Sequence, residues 1–253
     1  MTVIAVLADP PREGLVLPGM AATSPLTPAE VVRLYEASLR DVLVAAARSG
    51  GDLLVNYRPD DLIPGEFGGD ASAEAEVRAV AADALPDVEA VRFEPQVGST
   101  FAARAGNTVT HLLREEDEGS VAVVRPSATF LTRSAVDSAA MKLRSAAAVL
   151  GPSTDGRTYY AAFAEPIDFA DAFAPPEVET LTERAGDADH DVDFLPVRPV
   201  LERGPDLATA IPLLRARSAA GRLVPTHAAE VVADLDLAVE PAADGAGVRV
   251  VRG

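Results

Sequence analysis

Apolar and polar positions follow two regimes along the chain: short continuous apolar runs, and longer stretches with apolar residues at three-and-four spacing. Alternation of the two is the pattern of an α/β sheet. Val3-Ile4-Ala5-Val6-Leu7-Ala8 predicts a strand buried on both faces, closed by Asp9 and Pro10-Pro11. Thr27-Pro28-Ala29-Glu30 then predicts a helix start: a cap, a proline at the first helical position and an acid at the third. Val31, Leu34, Tyr35, Leu39, Val42, Leu43 and Ala46 form its apolar stripe, and Ser49-Gly50-Gly51 ends it.

The same reading predicts strands at 53–57, 90–93, 121–124 and 147–150, with 159–163 paired beside the last. Helices are expected over 72–84, over the stretch carrying Phe101, Ala105, Val109 and Leu112 behind a Ser99 cap, and from Thr132 to 143. Two more are expected at 177–185 and 205–217. The tail changes character. A helix at 226–235 precedes strands at 235–239 and 248–251 that flank Ala243-Asp244-Gly245-Ala246-Gly247 as a hairpin. The expected organisation is an α/β domain over 1–217 with a helix–hairpin extension, 218–253, packed on it.

Composition narrows the chemistry. A chain of 253 residues buries a full core without disulfides, and the absence of cysteine excludes disulfides, thiolate zinc sites and a cysteine nucleophile. The formal net charge of -17, spread over roughly 10,600 Å² of folded surface, repels phosphate backbones and anionic lipid. Nucleic acid and acidic membranes are therefore not expected partners. Lys142 is the only lysine among the 22 basic residues, a balance resembling the cytosolic proteins of salt-accumulating haloarchaea, so folding is expected to depend on salt. The N-terminal run is short and lacks a basic lead-in, so it reads as a strand rather than a signal peptide, and a cytoplasmic location is expected.

Few motifs carry chemistry on their own. The three histidines are dispersed, and His190 lies in an acidic run that reads as a solvated loop. There is no Gly-x-Ser-x-Gly elbow, and Gly245-Ala246-Gly247 lacks the third glycine and following helix of a dinucleotide loop. The unusual segment is Leu150-Gly151-Pro152-Ser153-Thr154-Asp155-Gly156-Arg157-Thr158-Tyr159-Tyr160. It sets a carboxylate on a glycine turn at the C-terminal end of a buried strand, where open α/β sheets hold ligands.

That segment resembles the Leu-Gly-Pro-Ala-x-Asp-Gly-Gly-Tyr-Tyr stretch of TagA-related, or selenodomain-associated, transferases, a prokaryotic family of glycosyltransferase-A-fold proteins. Other elements follow in the family's order across about 1–215: Pro11-Arg12-Glu13-Gly14-Leu15-Val16, Leu26-Thr27-Pro28-Ala29-Glu30, Gln96-Val97-Gly98 with Phe101-Ala102-Ala103-Arg104, and Pro205-Asp206-Leu207. The resemblance implies a three-layer α/β/α sandwich with a mostly parallel, glycosyltransferase-A-like sheet. It implies a nucleotide-dependent glycosyl- or nucleotidyltransferase taking a nucleotide or nucleotide sugar, with Mg²⁺ or Mn²⁺ as the metal. Asp155, on the matching glycine turn, is then the candidate catalytic residue, and with Glu202 it would hold a displaced metal in compensation for the family's missing Asp. Arg12, Gly14, Gln96, Gly98, Arg104, Arg125 and Ser127 would bind the nucleotide, in a cleft lined by 9–20, 94–100, 125–129 and 153–158.

The chain also departs from the family. Leu17-Pro18-Gly19-Met20 stands where the family has a basic Lys-Thr-Arg-Leu loop, and Arg125-Pro126-Ser127 stands where it has Gly-Ser-Asp. Val200-Leu201-Glu202 replaces Asp-Val-Asp. A serine is a weaker Mg²⁺ ligand than a carboxylate, and transfer from a nucleotide needs a cation on the phosphates. The competing reading is a descendant that keeps the fold without catalysis and binds a ligand or a protein.

Overall fold

The computed structural model describes residues 1–242, 245 and 247–252. Seven strands form one sheet: β1 (Thr2–Ala8), β2 (Asp52–Tyr57), β3 (Arg92–Pro95), β4 (Ser120–Val124), β5 (Ala148–Pro152), β6 (Thr158–Phe163) and β7 (Val192–Phe194). Their order is β3-β2-β1-β4-β6-β5-β7. The pairs β1–β2, β2–β3, β1–β4 and β5–β7 are parallel, whereas β6 runs antiparallel to both β4 and β5. The turn between β5 and β6 is too short for a crossover, so the two must form a hairpin.

The apolar run of β1 serves two cores at once. Ile4, Val6 and Ala8 face a cluster completed by α2 (Pro28–Ala47), α3 (Ala73–Ala82) and α5 (Arg133–Lys142). Val3, Ala5 and Leu7 face the opposite cluster with α4 (Phe101–Arg114) and α6 (Glu177–Asp187). Helices thus cover both faces of the sheet, and the α/β sandwich expected from the sequence is the fold observed. The Thr27 capping box is present: its hydroxyl accepts from the Glu30 N–H at 3.4 Å and the Glu30 carboxylate accepts from the Thr27 N–H at 2.8 Å.

A third cluster joins the N-terminal turns of α2 to α1 (Pro18–Thr23) and α7 (Gly204–Ala219). The tail contributes Val232 and Leu235 around α8 (Thr226–Asp234) and Leu237 from β8 (Leu237–Pro241), which pairs antiparallel with β9 (Val248–Arg252). The hairpin pairing expected in the tail is present, while Ala243, Asp244 and Ala246 of its connection lie outside the described residues.

Several local expectations are corrected. β3 lies two residues later than the pattern gave, because Arg92–Pro95 is the stretch in register with Leu54–Tyr57 of β2. Thr100, not Ser99, caps α4, its hydroxyl accepting from the Ala103 N–H at 3.1 Å. Helix α1 and strand β7 were not legible: six residues cannot show a helical period, and three cannot show an alternation.

Candidate functional site

The strand order reverses direction at β1, with β2 on one side and β4 on the other, and ligands bind such sheets outside the strand ends at that point. A cavity of about 430 Å³ lies there. Its floor is Asp9 after β1, Gln96 after β3 and Arg104 on α4; its far wall is Arg125 and Ser127 after β4 with Glu202 and Arg203 before α7; residues 15–19 close the top.

Each floor residue is fixed by something the fold supplies. The Tyr35 hydroxyl of α2 accepts from the Asp9 N–H at 2.9 Å and donates to the Asp9 carbonyl at 2.7 Å, pinning the end of β1. The Gln96 amide donates to the Asn56 carbonyl at 2.7 Å and the Ala8 carbonyl at 3.3 Å, which ties β1 to β2 and leaves Gln96 Oε1 buried without a partner. Gly98 adopts φ 130, and a Cβ there would meet the Arg104 nitrogen at 2.9 Å, so glycine lets the chain turn tightly into α4.

Arg104 is 7 % exposed, and among the described residues its guanidinium makes no hydrogen bond and no ion pair. Burial lowers its pKa, and the nearby Asp9 carboxylate opposes that shift. Burial raises the Asp9 pKa in turn, against Arg58 at 3.6 Å and Arg104. Asp9 Oδ1 has no hydrogen-bond partner.

The far wall is committed rather than open. Arg125 donates to Glu177 at 2.7 Å and lies over the face of the Phe101 ring, 4.1 Å from its centroid, while still lining the cavity. Ser127 donates to Glu202 Oε1 at 2.8 Å, and Arg157 donates to Glu202 Oε2 at 3.1 Å. Arg157 also makes a bidentate pair with Asp206 at 2.6 and 2.8 Å. Burial pushes the Asp206 carboxyl up, but Arg157 and the N–H groups of Glu202 and Arg203 outweigh it and hold Asp206 below its ordinary value.

The residues named from the sequence therefore separate. Gln96, Arg104, Arg125, Ser127 and Glu202 come together around one cavity, and Gly98 shapes its edge. Arg12 does not join them. It is buried, donating from Nε to Glu76 at 3.0 Å and from the other nitrogens to Asp60, Phe67 O and Ala71 O, so it locks the 59–72 segment to β1's loop instead of meeting a ligand. Gly14 is also outside the lining: its φ of 77 and the Phe67 ring 2.9 Å from a Cβ make it a packing glycine.

Asp155 is 67 % exposed, stands outside the cavity lining, and pairs with Arg203 and, at 3.6 Å, with Arg157. Its φ of 57 next to Gly156 at 70 explains the Asp-Gly pair as a left-handed turn. The expected Asp155–Glu202 metal pair does not fit a divalent ion. Arg157 sits against both carboxylates, and both Glu202 oxygens are already accepting hydrogen bonds. Among the described residues no group of three His, Asp or Glu side chains gathers to hold a metal.

Sequence reasoning did not single out three members of the site, although Asp9 and Arg157 fall in the expected lining loops 9–20 and 153–158. Asp9 had a signal, the acid that closes a doubly buried strand. Arg203 and Arg157 had none, since an arginine's partners lie far away in the chain: Arg157 meets Glu202 and Asp206 only after α7 docks.

No protein-family model and no curated protein matches the sequence. Solved structures do match. A protein of Desulfovibrio desulfuricans G20, provisionally assigned as a nucleotide-diphospho-sugar transferase, superposes with a TM-score of 0.73 at 19% identity over 93% of this chain and 95% of its own. A cytidylyltransferase from Leptospira borgpetersenii serovar Hardjo-bovis superposes at 0.52 with 9% identity, over 92% of this chain and 94% of its own. At these identities the likeness establishes the fold: this chain shares the mostly parallel, helix-flanked α/β architecture of these two structures.

Proposed function

We propose that the cleft at the ends of β1 and β4 binds the phosphates of a nucleotide or nucleotide sugar, and that the chain is a nucleotide-utilising glycosyl- or nucleotidyltransferase. One observation carries this reading: Arg104, a buried guanidinium with no partner among the described residues, opens onto that cleft. An unpaired buried charge costs several kcal/mol, and a ligand anion offsets that cost. Arginine meets phosphate oxygens bidentately. Of the three arginines in the cleft lining, Arg125 is paired with Glu177 and Arg203 with Asp155, which leaves Arg104 as the lining cation available to a ligand among the described residues.

In this reading Arg104 grips the phosphates from the floor and Arg125 adds charge from the wall as the bond to the leaving phosphate breaks. Gln96 Oε1 offers an acceptor to a ligand N–H or O–H. Asp9, with its raised pKa, accepts from a hydroxyl of the donor or acceptor. The resemblance to TagA-related transferases belongs to the same proposal, as does a cytoplasmic site of action. No described helix is long and apolar enough to cross a membrane.

The test is a thermal-shift series with nucleoside triphosphates and nucleotide sugars, with and without Mg²⁺ or Mn²⁺, in about 2 M KCl. A ligand at 100 times its Kd should stabilise the protein by about 2.7 kcal/mol. Arg104→Met should abolish the ligand shift without lowering the melting temperature of the free protein, while Asp155→Ala should retain it. A ligand shift that survives Arg104→Met would overturn the proposal.

Binding without turnover is a second reading, favoured by the far wall: Ser127 and Arg157 occupy both Glu202 oxygens. It predicts a nucleotide shift with no release of pyrophosphate or nucleoside diphosphate.

A further inference from the structure

The loop that follows β4 has two faces. Arg125, Pro126 and Ser127 line the cleft, whereas Thr129, Phe130 and Leu131 line a separate cavity of about 350 Å³. Ser38 of α2 holds the loop between them, bonding both the Pro126 carbonyl and the Thr129 hydroxyl. The second cavity is closed by the C-terminal turn of α2, the start of α5, Arg198 beyond β7, and the connection from α7 to α8.

Four arginines line it, at 48, 133, 198 and 217. Arg133 pairs with Asp137 at 3.2 Å. The other three have no carboxylate partner among the described residues, in a chain with 39 acidic side chains for 22 basic ones. Two of them are anchored by single carbonyls, Arg198 by Phe130 O at 3.0 Å and Arg217 by Leu223 O at 2.9 Å, which aims each guanidinium and leaves further N–H groups unused. Arg48 and Arg217 end helices, where a cation is favourable on its own account. Arg198 is on no helix, and its Nε is buried without a partner.

The one carboxylate in the lining is Asp41, and it is spent. It accepts from the His227 N–H at 3.1 Å, from His227 Nδ1 at 3.0 Å and from the Ala228 N–H at 2.9 Å, docking α8 on α2. The amino end of α5 opens onto the same cavity through Thr132 and Arg133 and adds positive potential. Val44, Leu131 and Val224 supply an apolar wall.

We propose that this cavity is a second anion site, which binds a small organic phosphate whose apolar body lies against Val44 and Val224 and whose phosphate meets Arg198, Arg217 and Arg48. It is independent of what the cleft binds.

Isothermal titration of the full chain with phenyl phosphate, inorganic phosphate and benzyl alcohol tests it. Phenyl phosphate should bind saturably, inorganic phosphate more weakly, and benzyl alcohol not at all. Arg198→Met and Arg217→Met should each weaken phenyl phosphate binding by about tenfold or more. Arg48→Ala, at an exposed position whose side chain has no described partner, keeps the fold intact and should weaken binding about threefold. Arg104→Met should leave the affinity unchanged, which separates this site from the cleft. No saturable binding up to about 10 mM would overturn the proposal. So would binding that Arg104→Met removes and Arg217→Met and Arg48→Ala leave intact, because the anion would then sit in the cleft.

Discussion

Arg157 is the residue on which the far wall of the cleft turns. Its guanidinium satisfies Asp206 through two bonds and Glu202 through one, and the pair with Asp206 is almost wholly buried. Removing one member of a buried ion pair leaves the other uncompensated and costs about 3–5 kcal/mol. Arg157→Met should therefore lower unfolding stability by about that amount in urea titration, and Glu202, freed on Oε2, should shift the cleft toward negative charge and weaken nucleotide binding. Arg104 behaves oppositely, since its removal discards a buried charge that no described residue meets by a hydrogen bond or ion pair. Arg12 and Arg104 look alike in the sequence, each an arginine near a glycine in a loop or helix start. What separates them is supply: the 59–76 segment brings Asp60 and Glu76 to Arg12, and nothing comparable reaches Arg104.

At the scale of elements, the cleft depends on close approaches that only glycine allows, at Gly98 before α4 and at Gly204 at the start of α7. A Cβ at Gly204 would lie 1.9 Å from the Thr23 carbonyl, because the start of α7 packs directly on the end of α1, where the Gly204 N–H donates to the Thr23 hydroxyl at 2.8 Å. Gly204→Ala should push α1 away from α7 and move residues 15–19, the top of the cleft. We expect a loss of about 1–3 kcal/mol in stability and a weaker nucleotide shift, read together in one thermal-shift series. The helix caps and the doubly buried strands were legible because they are local, written in Thr27-Pro28-Ala29-Glu30 and in the run of β1. Helix α1 was not, since its left-handed Leu17 start at φ 44 is held by packing rather than by a cap side chain.

Several contacts tie the tail to the body of the molecule, among them Arg33 with Asp234 and Asp41 with His227, and the Arg252–Glu30 pair has a defined pH window. Arg252 and the Thr27 N–H hold the Glu30 carboxyl at about 2, below its usual 4.5. A depressed carboxyl contributes stability above its unfolded pKa and loses it as pH falls through the folded value. Amide protection in β9 should therefore fall between pH 4.5 and 2, and Arg252→Gln should show the lower protection already at neutral pH. Net charge acts on the whole chain. At about 1 M salt the Debye length is roughly 3 Å, which screens the self-repulsion of a -17 molecule more than its buried pairs. We expect the melting temperature to rise as KCl goes from about 0.1 M to 2 M; a flat response would remove the case for salt adaptation.

The sequence alone determined the layers of this protein, because burial on one face or two is written in the spacing of apolar residues, and the ends of the helices, because caps act within a single turn. The resemblance to a known family, read from the same sequence, named five residues that the fold brings to the cleft, Gln96, Arg104, Arg125, Ser127 and Glu202. Tertiary structure decided which charges are free. Whether an arginine meets a carboxylate depends on residues brought from far along the chain, as Asp206 is brought to Arg157 and Asp60 to Arg12, and no local pattern encodes that pairing. The structure therefore sets Asp155 outside the cavity lining, keeps Asp9 of the expected 9–20 loop within it, and leaves Arg104 buried without an ion pair among the described residues.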